Sequence, residues 1–166
     1  HSTLAKELHH THSGDGGAFQ PKKLDALQAA MLQVKTRHVD AFNIAHSKAV
    51  RFYEQALAGV PQVQLPHRAS YSSHTFLTYT LRVAPALRDG LQQHLRDHFI
   101  PSVVYYPQPL HLIPALNLKG YKPRDFPVAE LLSQSVLSLP LHSELKEDQL
   151  SYICQHVIDY VQQNRR

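Results

Sequence analysis

Two prolines in Pro-X-Pro spacing, placed at the end of a β-rich run, constrain this chain more than any other feature. The run is Ser102 to Tyr106, and Pro107-Gln108-Pro109-Leu110-His111 follows it. Proline locks φ and has no N–H to offer a ladder, so strand pairing has to end at Pro107. The residues ahead of the prolines, Tyr106 and Gln108, are driven to extended backbone. The chain therefore leaves its sheet as a stiff arm that carries His111. A histidine held at so little entropic cost suits a binding contact. It also suits a rigid crossover, and spacing alone favours the crossover.

The 166 residues have the size of one domain and enough length for a core. Apolar residues at 43% and charged residues at 18% read as globular rather than disordered. Lys and Arg number 17 against 13 Asp and Glu, and outside Lys22-Lys23 and Arg165-Arg166 they are dispersed. A nucleic-acid footprint needs a clustered basic face, so no nucleic-acid partner is expected. No apolar run is long enough to span a bilayer and no signal peptide is visible, so no membrane partner is expected and the cytoplasm is the expected compartment. Cys154 is the single cysteine, which excludes a disulfide framework. It falls inside a helical pattern and reads as a small core residue. The chain opens on His1 within helical composition, which suggests a piece of a longer protein.

Taken in order, the polar run His10 to Gly17 is a loop, and its Gly14-Asp15-Gly16-Gly17 fits neither the P-loop nor the dinucleotide fingerprint. His9, His10 and His12 have no second ligand cluster at metal spacing, and no metal is assigned to them. Pro21 opens a helical tract with Leu24, Leu27, Met31 and Val34 on one face. The period continues through Val39, Phe42, Ala45, Ala49, Phe52 or Tyr53, and Leu57, until Gly59 and Pro61 stop it. Residues 61–72 read as loop, and Phe76 to Val83 as a strand. Pro85 starts a helix that runs to His98. His94 and His98 share one face of it, but the pair lacks a third ligand and reads as a solvated surface. Val128 to Ser133 is a short helix, Val136 to Leu139 a strand, and Lys146 to Gln163 an amphipathic helix with Leu150, Ile153, Cys154, Val157, Ile158 and Val161 inward. Helices alternating with few short strands imply an α/β or α+β fold with a small sheet.

Three segments resemble, in order and spacing, the C-terminal half of the DegT/DnrJ/EryC1/StrS family of pyridoxal-phosphate-dependent sugar aminotransferases. Lys23-Leu24-Asp25-Ala26-Leu27-Gln28-Ala29-Ala30 is similar to the family's Arg-Leu-Asp-Glu-Leu-Gln-Ala-Ala helix start. Tyr106-Pro107-Gln108-Pro109-Leu110-His111 resembles its Tyr-Pro-X-Pro-Leu-His arm. Asp125 to Glu130 and Leu137 to Leu141 resemble its two late signatures.

The resemblance implies the C-terminal region of a fold-type I pyridoxal-phosphate-dependent transferase, with a long connecting helix and a small mixed sheet flanked by helices. Residues 1–21 would close the large cofactor domain and hold a shortened loop, 22–60 would connect, and 61–166 would form the small domain. It implies a homodimer with active sites at the subunit interface, a nucleotide-linked keto sugar as substrate, and glutamate or glutamine as amino donor. The lysine that forms the internal aldimine with pyridoxal phosphate lies, in the family, upstream of the region present, so no catalytic residue is assigned here. Of the family's site residues, Lys23 would be cofactor-binding, and His111 and Tyr106 substrate-binding. Two positions depart from the pattern. Pro21 stands where the family has an Asn that reaches the neighbouring subunit's cofactor phosphate. Lys23 replaces an Arg and loses its bidentate fork. These departures motivate an alternative: a catalytically silent relative that serves as a dimerisation or interaction module.

Overall fold

The computed structural model describes residues 25–116 and 118–164. Asp25 caps helix α1 (Ala26–Thr36), its carboxylate accepting the Leu27 N–H at 2.8 Å. The helical tract expected to run on to Leu57 is broken at Arg37 and His38, and α2 (Val39–Leu57) follows. The break has a local cause. The Thr36 hydroxyl donates back to the Gln33 carbonyl at 2.9 Å, and the Arg37 and His38 N–H groups bond three residues back rather than four. The apolar series marks the place: it steps by five from Val34 to Val39, where the steps on either side are three, too wide for one face of an unbroken helix.

Only the C-terminal half of α2 enters the core, through Ala49, Val50, Tyr53 and Leu57. Of the two aromatic candidates at that step, Tyr53 takes the buried position, and Phe52 packs at the margin. The helix stops in a type II turn: Ala58 is extended, Gly59 has φ +72°, and the Val60 N–H bonds the Leu57 carbonyl at 3.2 Å. That positive φ is why a glycine stands there.

Three strands form the sheet in the order β1 (Val63–Gln64), β2 (Tyr79–Val83), β3 (Val136–Leu139), with both pairings antiparallel. β1 lies in the stretch read as loop. Two residues are too few to show alternation, and pairing with Val83 and Arg82 defines them as a strand. β2 alternates, with Tyr79, Leu81 and Val83 buried, whereas β3 is buried at all four positions. Pro85 begins α3 (Pro85–Asp97), Pro127 begins α4 (Pro127–Ser135), and α5 (Glu147–Gln163) ends the described chain. Helix α5 packs on both α2 and α3, and α3 packs on α4. One core joins Tyr53, Tyr79, Leu81, Leu91, Leu95, Leu137, Leu150 and Val157. The described residues form a mixed α/β fold, a small three-stranded sheet flanked by helices, which is the fold class that the resemblance implied.

The α3–α5 contact is close at Gly90, where a Cβ would run into the Tyr160 hydroxyl. At an open helical site Gly→Ala gains up to about 1 kcal/mol. Here Gly90→Ala should instead lose about 1–3 kcal/mol, as overpacking does. In a Tyr160→Ala background the same change should be neutral or stabilising. Chemical denaturation of the four proteins measures this, and a stabilising Gly90→Ala in the otherwise unaltered chain would refute the close contact.

Candidate functional site: the proline arm and its groove

The expected strand from Ser102 to Tyr106 is reduced to one antiparallel bridge. The Val103 N–H donates to the Ser138 carbonyl at 3.1 Å, and the Val103 carbonyl accepts the Ser138 N–H at 2.8 Å. Pro101 and Pro107, neither of which has an N–H to give a ladder, stand on either side of this pair. Tyr105 and Tyr106 then point outward, Tyr106 73% exposed. Pro109 is extended (φ −69°, ψ 144°), and two 3₁₀ turns follow at Leu110–Leu112 and Pro114–Leu116.

His111 lies in the first of these turns and is buried, its side chain only 2% exposed. Its Nε2 is 3.0 Å from Glu130 Oε1, the geometry of an imidazole N–H donating to a carboxylate, and its ring is 4.8 Å from that of Phe126. Glu130 comes from the first turn of α4 and does more than pair with His111. It accepts the Arg124 N–H at 2.8 and 3.1 Å and the Phe126 N–H at 3.4 Å. Arg124 has φ +79°, a conformation that a side-chain-bearing residue adopts only when its surroundings hold it. The carboxylate of Glu130 thus ties the arm, the 124–126 turn and α4 together. Arg88, buried on α3, secures α4 from the other side by donating to the Ser133 carbonyl at 3.0 Å.

Between arm and helix runs a groove of about 580 Å³, with Tyr105, Tyr106 and Leu110 on the arm side and Ala129, Leu132 and Ser133 on α4. That size and its mostly apolar lining suit a small-molecule site. The structure therefore sets Tyr106 on the groove, whereas His111 is turned inward onto Glu130. Glu130 itself is a residue that sequence reasoning passed over. It lies within a recognised segment, but nothing local announces that its carboxylate serves three partners.

Lys23 lies outside the described residues, as do Pro21, His9, His10 and His12. The lysines that are described, Lys35, Lys48, Lys119, Lys122 and Lys146, are all exposed. None has the enclosed setting of an amine that carries a cofactor, so the described residues do not by themselves fit pyridoxal phosphate. Cys154 is buried, and burial pushes its thiol up to about 12, the behaviour of a core residue and not a nucleophile. His94 and His98 differ from expectation. They are half-buried, not a solvated face, because α5 lays His156 against them.

The comparisons agree with this geometry. The pattern of the DegT/DnrJ/EryC1/StrS aminotransferase family matches residues 7–158. The chain is 37% identical over 131 residues to the erythromycin biosynthesis sensory transduction protein EryC1 of Saccharopolyspora erythraea, covering 79% of this chain and 35% of that protein. It is 34% identical over 127 residues to the dTDP-3-amino-3,4,6-trideoxy-alpha-D-glucose transaminase of Streptomyces venezuelae, covering 76% of this chain and 33% of the relative. In three dimensions it matches the crystal structure of S. venezuelae DesV in complex with a ketimine intermediate. The TM-score is 0.79 at 29% identity, over 98% of this chain and 45% of that one. The chain spans about a third of the length of the curated relatives it matches. The chain belongs to the DegT/DnrJ/EryC1/StrS aminotransferase family.

Proposed function

We propose that this chain supplies the small-domain, substrate-facing part of a pyridoxal-phosphate-dependent aminotransferase that acts on a nucleotide-linked keto sugar. The observation that carries the reading is the apolar groove which the Tyr-Pro-X-Pro arm builds against α4, in a fold shared with sugar aminotransferases. Tyr106 offers its exposed ring to the substrate. His111, paired with Glu130, sets the arm from within and holds the groove's shape, a positioning role beside the substrate-binding one implied by resemblance. Lys23 would contribute from the chain ahead of α1, toward the cofactor phosphate.

Pyridoxal phosphate itself would be held by residues beyond those described. Helix α1 supports a larger assembly. Leu27, Met31, Leu32 and Val34 are all exposed on it, and α1 has no buried residue. An apolar surface of this kind is covered in the working protein, and the proposed cover is the cofactor domain or the second subunit of a homodimer. No helix among the described residues is long and apolar enough to cross a membrane, and a cytoplasmic location fits the proposed chemistry.

Tyr106→Ala in the complete enzyme tests the reading. An aromatic contact is worth about 0.5–1.5 kcal/mol, so KM for the nucleotide sugar should rise roughly two- to thirteenfold with kcat little changed. The circular dichroism of the variant should match the parent. An unchanged KM would remove Tyr106 from the site. A second reading, a catalytically silent relative acting as an interaction module, draws on Pro21 and Lys23 in place of the family's Asn and Arg. It predicts no borohydride-trappable aldimine band when pyridoxal phosphate is added to the complete protein.

A further inference from the structure

Where α3 meets α5, away from the arm, three imidazoles converge. His94 lies in the last turn of α3 and His98 four residues on at its C-cap, and α5 contributes His156. The His94 Nε2 is 3.2 Å from the His156 Nδ1. Ring centroids lie 4.0 Å apart for His98 and His156, and 4.4 Å apart for His94 and His98. One ligand nitrogen from each residue falls within 4.8 Å of the others.

We propose that His94, His98 and His156 form a binding site for a divalent transition-metal ion of the zinc type, with solvent completing the coordination. None of the three lines the arm groove, so the site is separate from the proposed substrate site and does not depend on that reading.

Four considerations support it. Nitrogens bound to tetrahedral zinc at about 2.0–2.1 Å stand roughly 3.3 Å apart. The His94–His156 pair already has this separation, and a ligand nitrogen of His98 lies within 4.8 Å of both. The tautomer of His98 is set. Its Nδ1 is 2.7 Å from the His94 carbonyl, which can only accept, so Nδ1 carries the hydrogen and Nε2 keeps the lone pair for a metal. The donor set is all imidazole, which suits zinc, copper, nickel and cobalt and disfavours calcium and magnesium. Asp97 and Asp159 lie near enough to temper the positive charge of an ion, while Gln93 and Gln155 occupy a carboxylate oxygen of each at 2.7 Å. A bound ion would clamp α3 to α5 beside the Gly90–Tyr160 contact.

The sequence alone showed half of this. The i, i+4 pair was visible, and the third ligand, 58 positions beyond His98, was not. The test is calorimetric titration of the chelator-treated protein with Zn²⁺, and in parallel with Mg²⁺. One equivalent of Zn²⁺ should bind and raise the thermal midpoint, whereas Mg²⁺ should do neither. Losing only a ligand's hydrogen-bond partner costs up to roughly 100-fold in metal affinity, so His156→Ala and His98→Gln should each weaken binding by at least that factor. His67→Ala, at an exposed histidine on the loop before β2, should change nothing. Circular dichroism of the metal-free variants checks that they fold, and His156→Gln replaces His156→Ala should the latter not do so. Absence of Zn²⁺ binding would overturn the proposal. So would a first equivalent indifferent to His156, which would place the metal outside this cluster.

Discussion

Replacing Tyr53 by alanine should cost about 3–5 kcal/mol, the range for emptying a buried aromatic site. Tyr53 is fully buried on α2, its ring stacks on Tyr79 with centroids 5.0 Å apart, and its hydroxyl donates to the Pro140 carbonyl at 2.8 Å. It thus joins the long helix to β2 and to the end of β3 in one side chain. Burial, with smaller contributions from Cys154 and Tyr79, raises its pKa well above the ordinary phenol value, so the neutral, donating form is the one present. Tyr53→Phe separates the two parts of the effect. It keeps the packing and leaves the Pro140 carbonyl without its donor, a loss of about 1 kcal/mol. Tyr79→Phe is the contrast, because the Tyr79 hydroxyl is buried with no hydrogen-bond partner among the described residues. That change should be neutral or stabilising. Urea denaturation with an unchanged m-value is the measurement. A Tyr53→Ala protein within 1 kcal/mol of the parent would mean that α2 is not anchored as described.

Glu130→Ala should cost about 1.5–3 kcal/mol, the range for a hydrogen bond to a charged group, with its effect concentrated in the arm. The substitution leaves the buried imidazole of His111 and the N–H groups of Arg124 and Phe126 without their acceptor. The left-handed backbone at Arg124 loses the contact that holds it. Amide exchange at Arg124 and Phe126 should accelerate, and Leu112 and Ile113 in the arm should follow. Glu130→Gln retains one acceptor oxygen and should lose less. The double variant with His111→Ala tests whether the two residues work as a unit. Residues in one network couple by about 0.5–3 kcal/mol, and strict additivity would show that His111 and Glu130 act independently. In the complete enzyme, the proposed positioning role predicts that either single change weakens sugar-nucleotide binding through the arm.

How far these features were legible varies with the range of the interaction that makes them. Helices α3, α4 and α5 begin within a residue of where their prolines and apolar periods put them, because a fixed φ and a repeating apolar stripe are local properties. β3 coincides with its expected span from Val136 to Leu139. The arm was legible for the same reason, and three recognisable segments in register pointed to the family that the comparisons bear out. The turn at Arg37 and His38 left only a weak trace, a single five-residue step from Val34 to Val39 between two stretches that are each helical in period. β1 escaped because its identity as a strand resides in Val83 and Arg82, not in itself.

The proline arm, the helix starts and the family were thus determined by the sequence alone, since steric limits on proline and the periodicity of side chains act within a few residues. Tertiary structure decided the rest. It turned His111 inward onto Glu130, left Tyr106 on the groove, shortened the strand before the arm to one bridge, and brought His156 to the His94–His98 pair. Each of these is a contact between residues at least 19 positions apart, except the exposure of Tyr106, which follows from what α4 and the arm leave uncovered. Such partners are chosen by how the elements pack, and a local pattern carries no record of that choice.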